Sequence, residues 1–173
     1  MKVSKKRLLL FRLIGFLIPV FILVVLEIIL RLCNYGYDYS LFKEDSADRN
    51  YLVMNQDASK KYFQSQSIAP TGNRELFKKI KDSNTTRIFV LGESTTIGYP
   101  YFHNGSFHRF LLYRLMHTMP DKNFEIINVS LTAVNSYTVL GFAKQLMNYE
   151  PDAVLIYTSH NEYYGAPGVG STQ

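Results

Sequence analysis

The hydrophobic pattern divides the chain into three textures. Leu8 to Leu26 is apolar at every position except Arg12. A helix rising about 1.5 Å per residue carries that run across about 28 Å, close to the thickness of a bilayer's hydrocarbon core. Arg12 lies near the start, where its long stem reaches back to the interface. Glu27 and Arg31 stand one turn apart and mark the opposite boundary, so a single transmembrane helix over Leu8–Leu32 is predicted. From Asn34 to Thr86 the pattern breaks up, and isolated aromatics such as Tyr51, Tyr62 and Phe63 sit among charged residues without a period. This segment reads as a stalk that partly wraps a following domain, with a short helix near Glu75 to Lys81. Tyr35, Tyr37 and Tyr39 suit a membrane interface and, equally, the start of a linker.

From Arg87 the pattern becomes regular. Ile88 to Leu91 is a short unbroken apolar run, as in a strand buried on both faces. A helix follows from about Ser106 to Thr118, with Phe107, Phe110, Leu111 and Leu115 on one face, and Pro120 ends it. Glu125 to Val129 reads as a second strand and Ser130 to Asn135 as its loop. A second helix, from about Ser136 to Tyr149, places Val139, Phe142, Ala143, Leu146 and Met147 on one stripe. Pro151-Asp152 turns the chain into a third strand, Ala153 to Tyr157. Strand–helix–strand–helix–strand predicts a parallel α/β unit with right-handed crossovers. Three domains result: 1–32 as basic tail and anchor, 33–86 as stalk, and 87–173 as the α/β domain.

Charge changes the picture through its location. Lys2, Lys5, Lys6, Arg7, Arg12 and Arg31 face only Glu27 in the first 32 residues, and the 13 basic and 13 acidic side chains left of the chain's 19 and 14 cancel. The globular part lacks the positive field that drives nucleic-acid binding, so no nucleic-acid partner is expected. The basic cluster before the apolar run predicts a cytoplasmic amino terminus and an extracytoplasmic domain. A cleaved signal peptide is the competing reading, but no small-x-small site follows the run, which is long for such a segment. Leu30-Arg31-Leu32 also lacks the small residue that lipoprotein processing at Cys33 needs, so Cys33 reads as an unpaired thiol. A single cysteine cannot form an internal disulfide. No metal-ligand cluster stands out, and no cofactor is expected.

The candidate chemistry lies where the strands stop. Gly92 and Gly98 allow a sharp turn off the first strand, which puts Ser94 at the carboxyl edge of the sheet, where open α/β folds bind ligands. A plain Ser/Thr-rich turn capping the next helix is the bland alternative. The other two strand ends bring Ser130–Asn135 and Thr158-Ser159-His160-Asn161-Glu162 to the same edge. If the strand order is second, first, third, Ser94 and Asn161 flank the point where the winding reverses. His103 and His108 flank the start of the first helix and His117 ends it; each reads as a surface or capping residue.

These three loops resemble the first three sequence blocks of the SGNH (GDSL-like) hydrolases, over roughly Arg87 to Gly170. Gly92-Glu93-Ser94 resembles the block that supplies the nucleophilic serine, with Glu93 where Asp is usual. Asn128-Val129-Ser130-Leu131-Thr132-Ala133 resembles the block whose glycine N–H serves the oxyanion hole, with Ala133 at the glycine position. Ser159-His160-Asn161-Glu162 resembles Gly-x-Asn-Asp/Glu, whose Asn is a second oxyanion donor, with Ser159 replacing the glycine. The string from Tyr157 to Gly165 also looks like a membrane-anchored bacterial branch of the family. The resemblance implies a flavodoxin-like three-layer α/β/α fold with about three of its five strands here. It also implies an esterase, deacetylase or O-acyltransferase acting on acyl esters, envelope glycans among them, with Ser94, Ala133 and Asn161 as site residues. Glu93 either holds the loop by hydrogen bonds or is a solvated turn residue.

The family's base is a histidine in an Asp-x-x-His block, and none of the four histidines here has Asp three residues before it. His160 precedes the oxyanion Asn and is expected to point elsewhere. A longer protein carrying the base downstream is therefore expected, with the chain as given inert and poorly folded alone. An inactive anchored binding module of the same fold is the alternative. A flavodoxin-like nucleotide or flavin binder shares the architecture but wants a phosphate-cradling Gly-rich loop, which Gly92-Glu93-Ser94-Thr95-Thr96 only faintly suggests.

Overall fold

The computed structural model describes residues 5–33, 35–63 and 65–164. Lys2 of the basic cluster and the end of the 87–173 segment from residue 165 lie outside the described residues. The chain forms two units, 1–37 and 38–173. The first holds α1 (Lys5–Leu32), whose stretch Leu9–Leu32 is long and apolar enough to cross a membrane. Arg31 Nε donates to Glu27 Oε1 at 2.7 Å across one turn, and Cys33 is an exposed free thiol.

The second unit contains two sheets. β1 (Phe42–Glu44), β2 (Tyr51–Met54) and β3 (Leu76–Lys78) form an antiparallel sheet in that order. The segment expected to be a stalk therefore carries its own sheet, and β3 replaces the short helix expected near Glu75 to Lys81. β4 (Thr85–Gly92), β5 (Asn123–Asn128) and β6 (Ala153–Tyr157) form the parallel sheet in the order β5-β4-β6. Ile88 pairs with Ile126 on one side and Ala153 on the other, so β4 is central. This is the order second, first, third.

Alternation along β4 sends Phe89 and Leu91 to one face and Ile88 and Val90 to the other. Both sets are buried, as an unbroken apolar run requires. Two helices connect the parallel strands: α3 (Phe107–Thr118) leads to β5 and α4 (Ser136–Leu146) leads to β6. The two connections run in opposite directions along the sheet, so crossovers of one hand must lie on opposite faces. Leu111, Leu112 and Leu115 of α3 pack on Ile88, Val90 and Ile126. Val139, Phe142 and Leu146 of α4 join Phe89, Leu91 and Ile127 on the opposite face.

Two expected helix faces need correction. Phe107 is partly exposed and Phe110 is 66% exposed, because α3 turns His108, Leu111, Leu112 and Leu115 toward the sheet. Met147 is also exposed, since α4 ends at Leu146 and Met147–Tyr149 tightens into a 3-10 turn. β6 is the outer strand of the described sheet, and its Ile156 is 56% exposed.

The antiparallel sheet shares the core on the α4 face. Phe42 of β1 lies 4.7 Å from Phe77 of β3 and 5.8 Å from Phe89 of β4, between ring centroids, and Phe77 lies 5.6 Å from Phe89. Such aromatic pairs add about 0.5–1.5 kcal/mol each beyond the area they bury. Buried Arg87 joins the same elements: its guanidinium donates to Glu125 Oε2 at 2.7 Å, Lys78 O at 2.7 Å and Tyr149 O at 2.9 Å. A charge removed from water costs several kcal/mol unless paired and hydrogen-bonded, and here every face of the fork is engaged.

Candidate functional site

The carboxyl ends of the three parallel strands meet at one edge. β4 stops at Gly92 and the chain turns through Glu93 into the single-turn α2 (Ser94–Ile97). Space dictates the glycine: a Cβ at Gly92 would lie 2.2 Å from both the Tyr157 carbonyl oxygen and Thr96 Oγ1. Thr96 Oγ1 donates to that carbonyl at 2.8 Å, so the bare backbone lets the turn rest against the end of β6. Ser94 sits half-buried at the tip of the central strand, and its hydroxyl has no hydrogen-bond partner among the described residues.

The second loop follows β5. Leu131 N–H donates to Gly92 O at 3.3 Å, which fixes the loop beside the Ser94 turn. Asn135 then caps α4, its Oδ1 accepting from Tyr137 N–H at 3.1 Å. Ala133 between them takes φ +54°, the left-handed region that a Cβ disfavours.

The third loop follows β6 and is held from below by Glu93. That buried carboxylate accepts from the Thr158 hydroxyl, from Ser159 N–H at 3.0 Å and from Asn161 N–H at 3.0 Å. Of its two sequence readings, Glu93 is thus the one that holds a loop. Ser159 takes φ +137°. Asn161 Nδ2 donates to Val134 O at 2.6 Å, and Glu162 Oε1 accepts from Ser136 N–H at 2.5 Å, so the second and third loops are bonded twice. The Asn161 carboxamide carries two N–H groups, of which Val134 takes one. His160 Nδ1 lies 3.9 Å from Glu93 Oε2, the oxygen that accepts from Asn161 N–H, and its ring stands 5.6 Å from that of Tyr157.

Asn161 therefore meets the turn that contains Ala133, and Ser94 joins both through its neighbours Gly92 and Glu93. The two positions where serine and alanine replace the glycine of the resembled blocks are both positive-φ positions. A cavity of about 640 Å³ lined by Tyr39, Tyr62, Tyr137, Lys61 and Lys144 lies elsewhere, along α4. Neither Ser94 nor Asn161 lines it, which leaves the strand ends as the candidate site.

Behind the edge lies a buried polar cluster that the sequence did not announce. His108, expected to be a surface or capping residue, is 0% exposed. Its Nε2 lies 2.5 Å from Glu75 Oε1, while its Nδ1 faces the Ser106 hydroxyl and Asn128 Nδ2. Half-exposed His103 also reaches Glu75 Oε1, at 3.2 Å. Glu75 Oε2 accepts from Asn128 N–H at 2.7 Å. The available signal was His108 itself, a polar residue one turn before Leu111 and Leu112 and two turns before Leu115. His117 does cap its helix, donating Nδ1–H to Tyr113 O at 2.7 Å. Glu75, His103 and His108 bring three potential metal-ligand atoms within 4.8 Å of one another, a grouping the sequence hid by spreading it over 34 positions.

No family model matches the chain, and no curated protein or solved structure matches it either.

Proposed function

We propose that this chain carries the amino-terminal part of an SGNH-type serine hydrolase, an esterase, deacetylase or O-acyltransferase for acyl esters outside the cytoplasm. In this reading α1 is its membrane anchor, the amino terminus is cytoplasmic, and residues from 87 onward begin a three-layer flavodoxin-like domain. Ser94 is the nucleophile, and the N–H groups of Ser94 and Ala133 with the Asn161 carboxamide form the oxyanion hole. The observation that carries the reading is the backbone at Ala133 and Ser159. Both stand where the family pattern has glycine, and both adopt positive φ, +54° and +137°. Loops that kept the glycine conformation without the glycine support the resemblance in a way that a shared string of letters does not.

The mechanism follows from the site. A base takes the Ser94 proton as its Oγ attacks the acyl carbon, and the carbonyl oxygen gains the charge that the preset donors receive. The second N–H of Asn161 is the one that Val134 leaves for that oxygen. The test is acyl-ester hydrolysis by the natural full-length protein in detergent. Ser94→Ala should abolish turnover, and Asn161→Ala should lower kcat roughly a hundredfold with little change in KM, because an oxyanion donor acts mainly in the transition state. Full activity in Ser94→Ala would return Ser94 to a capping role and favour an anchored binding module.

A further inference from the structure

The buried cluster behind the sheet edge uses three titratable groups and touches two of the site's three loops. Its chemistry can be read from one side chain whose orientation is fixed twice. Asn128 Oδ1 accepts from Ser130 N–H at 3.0 Å, and Asn128 Nδ2 donates to Thr96 O at 2.8 Å. The amide cannot flip without losing both bonds. Its second Nδ2 hydrogen then meets His108 Nδ1 at 3.0 Å, so that ring nitrogen is an acceptor. The imidazole proton sits on Nε2 and is donated to Glu75 Oε1 at 2.5 Å. Glu75 closes the circuit by accepting the N–H of Asn128 itself at 2.7 Å.

By type and spacing Glu75, His103 and His108 would suit zinc. The tautomer argues against it, because the Nε2 lone pair that a metal needs is occupied by a proton. A ligating Nε2 would move that proton to Nδ1, where it would confront the Asn128 donor and find only the Ser106 hydroxyl to accept it.

We propose that Glu75, His108 and Asn128 are positioning residues of the Ser94 site. Asn128 ties the Ser94 turn, at Thr96 O, to the start of the oxyanion loop, at Ser130 N–H. His108, held in its Nε2–H form by Glu75, fixes the amide that makes this tie. None of the three touches substrate; they set the spacing between nucleophile and oxyanion donors, to which rate is sensitive at the ångström scale. The inference rests on the hydrolase reading for its effect on rate, but not for the network itself.

Asn128→Asp tests it in the detergent-solubilised full chain, since it keeps shape and the Ser130 bond while turning the Thr96 and His108 donor into an acceptor. Amides 95–98 should exchange about tenfold faster or more. In active full-length protein kcat should fall roughly a hundredfold with KM within about threefold, as for misplaced rather than missing groups. Glu75→Gln, which sets an amide N–H against either Asn128 N–H or His108 Nε2–H, should do the same and carries the test if Asn128→Asp fails to fold. Long-range ¹H–¹⁵N correlation on histidine-labelled protein should find His108 as the Nε2–H tautomer. An Nδ1–H tautomer, unchanged exchange in the folded variants, or one equivalent of zinc lost in His103→Ala would overturn the proposal. Absence of Ser94-dependent turnover would instead sink the hydrolase reading, and the tautomer and exchange results would still judge the network.

Discussion

Glu93→Gln offers the sharpest test of how the site edge is held. The wild-type carboxylate spends one oxygen on the Thr158 hydroxyl and Ser159 N–H and the other on Asn161 N–H. Glutamine keeps one oxygen. Its better orientation leaves that oxygen with Thr158 and Ser159 and turns an NH2 group toward Asn161 N–H, donor against donor. One charge-assisted bond is lost, about 1.5–3 kcal/mol, and two bonds drop from charged to neutral strength, about 1 kcal/mol each. The sum is roughly 4 kcal/mol, a large share of the 5–15 kcal/mol that holds a typical domain. The strain is confined to the loop after β6, so local opening relieves it before global unfolding does. At about 1.4 kcal/mol per decade, amide exchange at Ser159 and Asn161 should quicken by two to three orders of magnitude, while β4 and β5 amides keep their protection. Peptide-resolved hydrogen exchange measures both regions at once. Exchange at 159 and 161 within threefold of wild type would mean that the carboxylate does not hold the loop.

Two further expectations concern stability. Ala133→Gly and Ser159→Gly should each be neutral or stabilising, by up to about 1 kcal/mol in denaturant unfolding, because relief of a positive-φ side chain outweighs glycine's added chain entropy; a loss of 1 kcal/mol or more at either would show that the backbone there is not left-handed. Asp152 is held below its ordinary 3.8 by the Lys81 ammonium and then by Arg87 N–H, each at 2.6 Å from its Oδ2. A lowered carboxyl favours the folded state above pH 3.8 and loses that contribution as pH falls through the folded value, so Asp152→Asn should flatten the acid limb of the stability curve below about pH 4; parallel limbs for the two proteins would contradict it.

The α/β alternation was legible because β4 and β6 carry unbroken apolar runs, β5 a shorter one at Ile126-Ile127, and each connecting helix has a stripe. The face of α3 was misread because two registers fit the 3.6-residue period. One is weighted by Phe107 and Phe110, and the other contains His108, a polar residue that lowered its apparent fit while being the buried one. The antiparallel sheet stayed hidden because strands of three or four residues are too short to show alternation. Ser94, Ala133 and Asn161 stand out as candidates through their neighbours in the chain. Glu75 acts through partners dozens of positions away, and Asn128 through Thr96 and His108 as well as its neighbour Ser130, and no local pattern marks such residues.

The shared aromatic core changes what counts as the heritable piece of this protein. With Phe42 and Phe77 seated on Phe89, and Arg87 bonded to Lys78, the parallel sheet has no finished face of its own at residue 87. A gene fusion or recombination event that joined a new anchor at that point would deliver exposed rings and a stranded guanidinium. The seam that evolution, or an engineer swapping anchors, can use lies between Tyr37 and Asp38, where the two units part. The smallest transferable module is therefore about fifty residues longer than the regular α/β pattern from Arg87 alone would suggest.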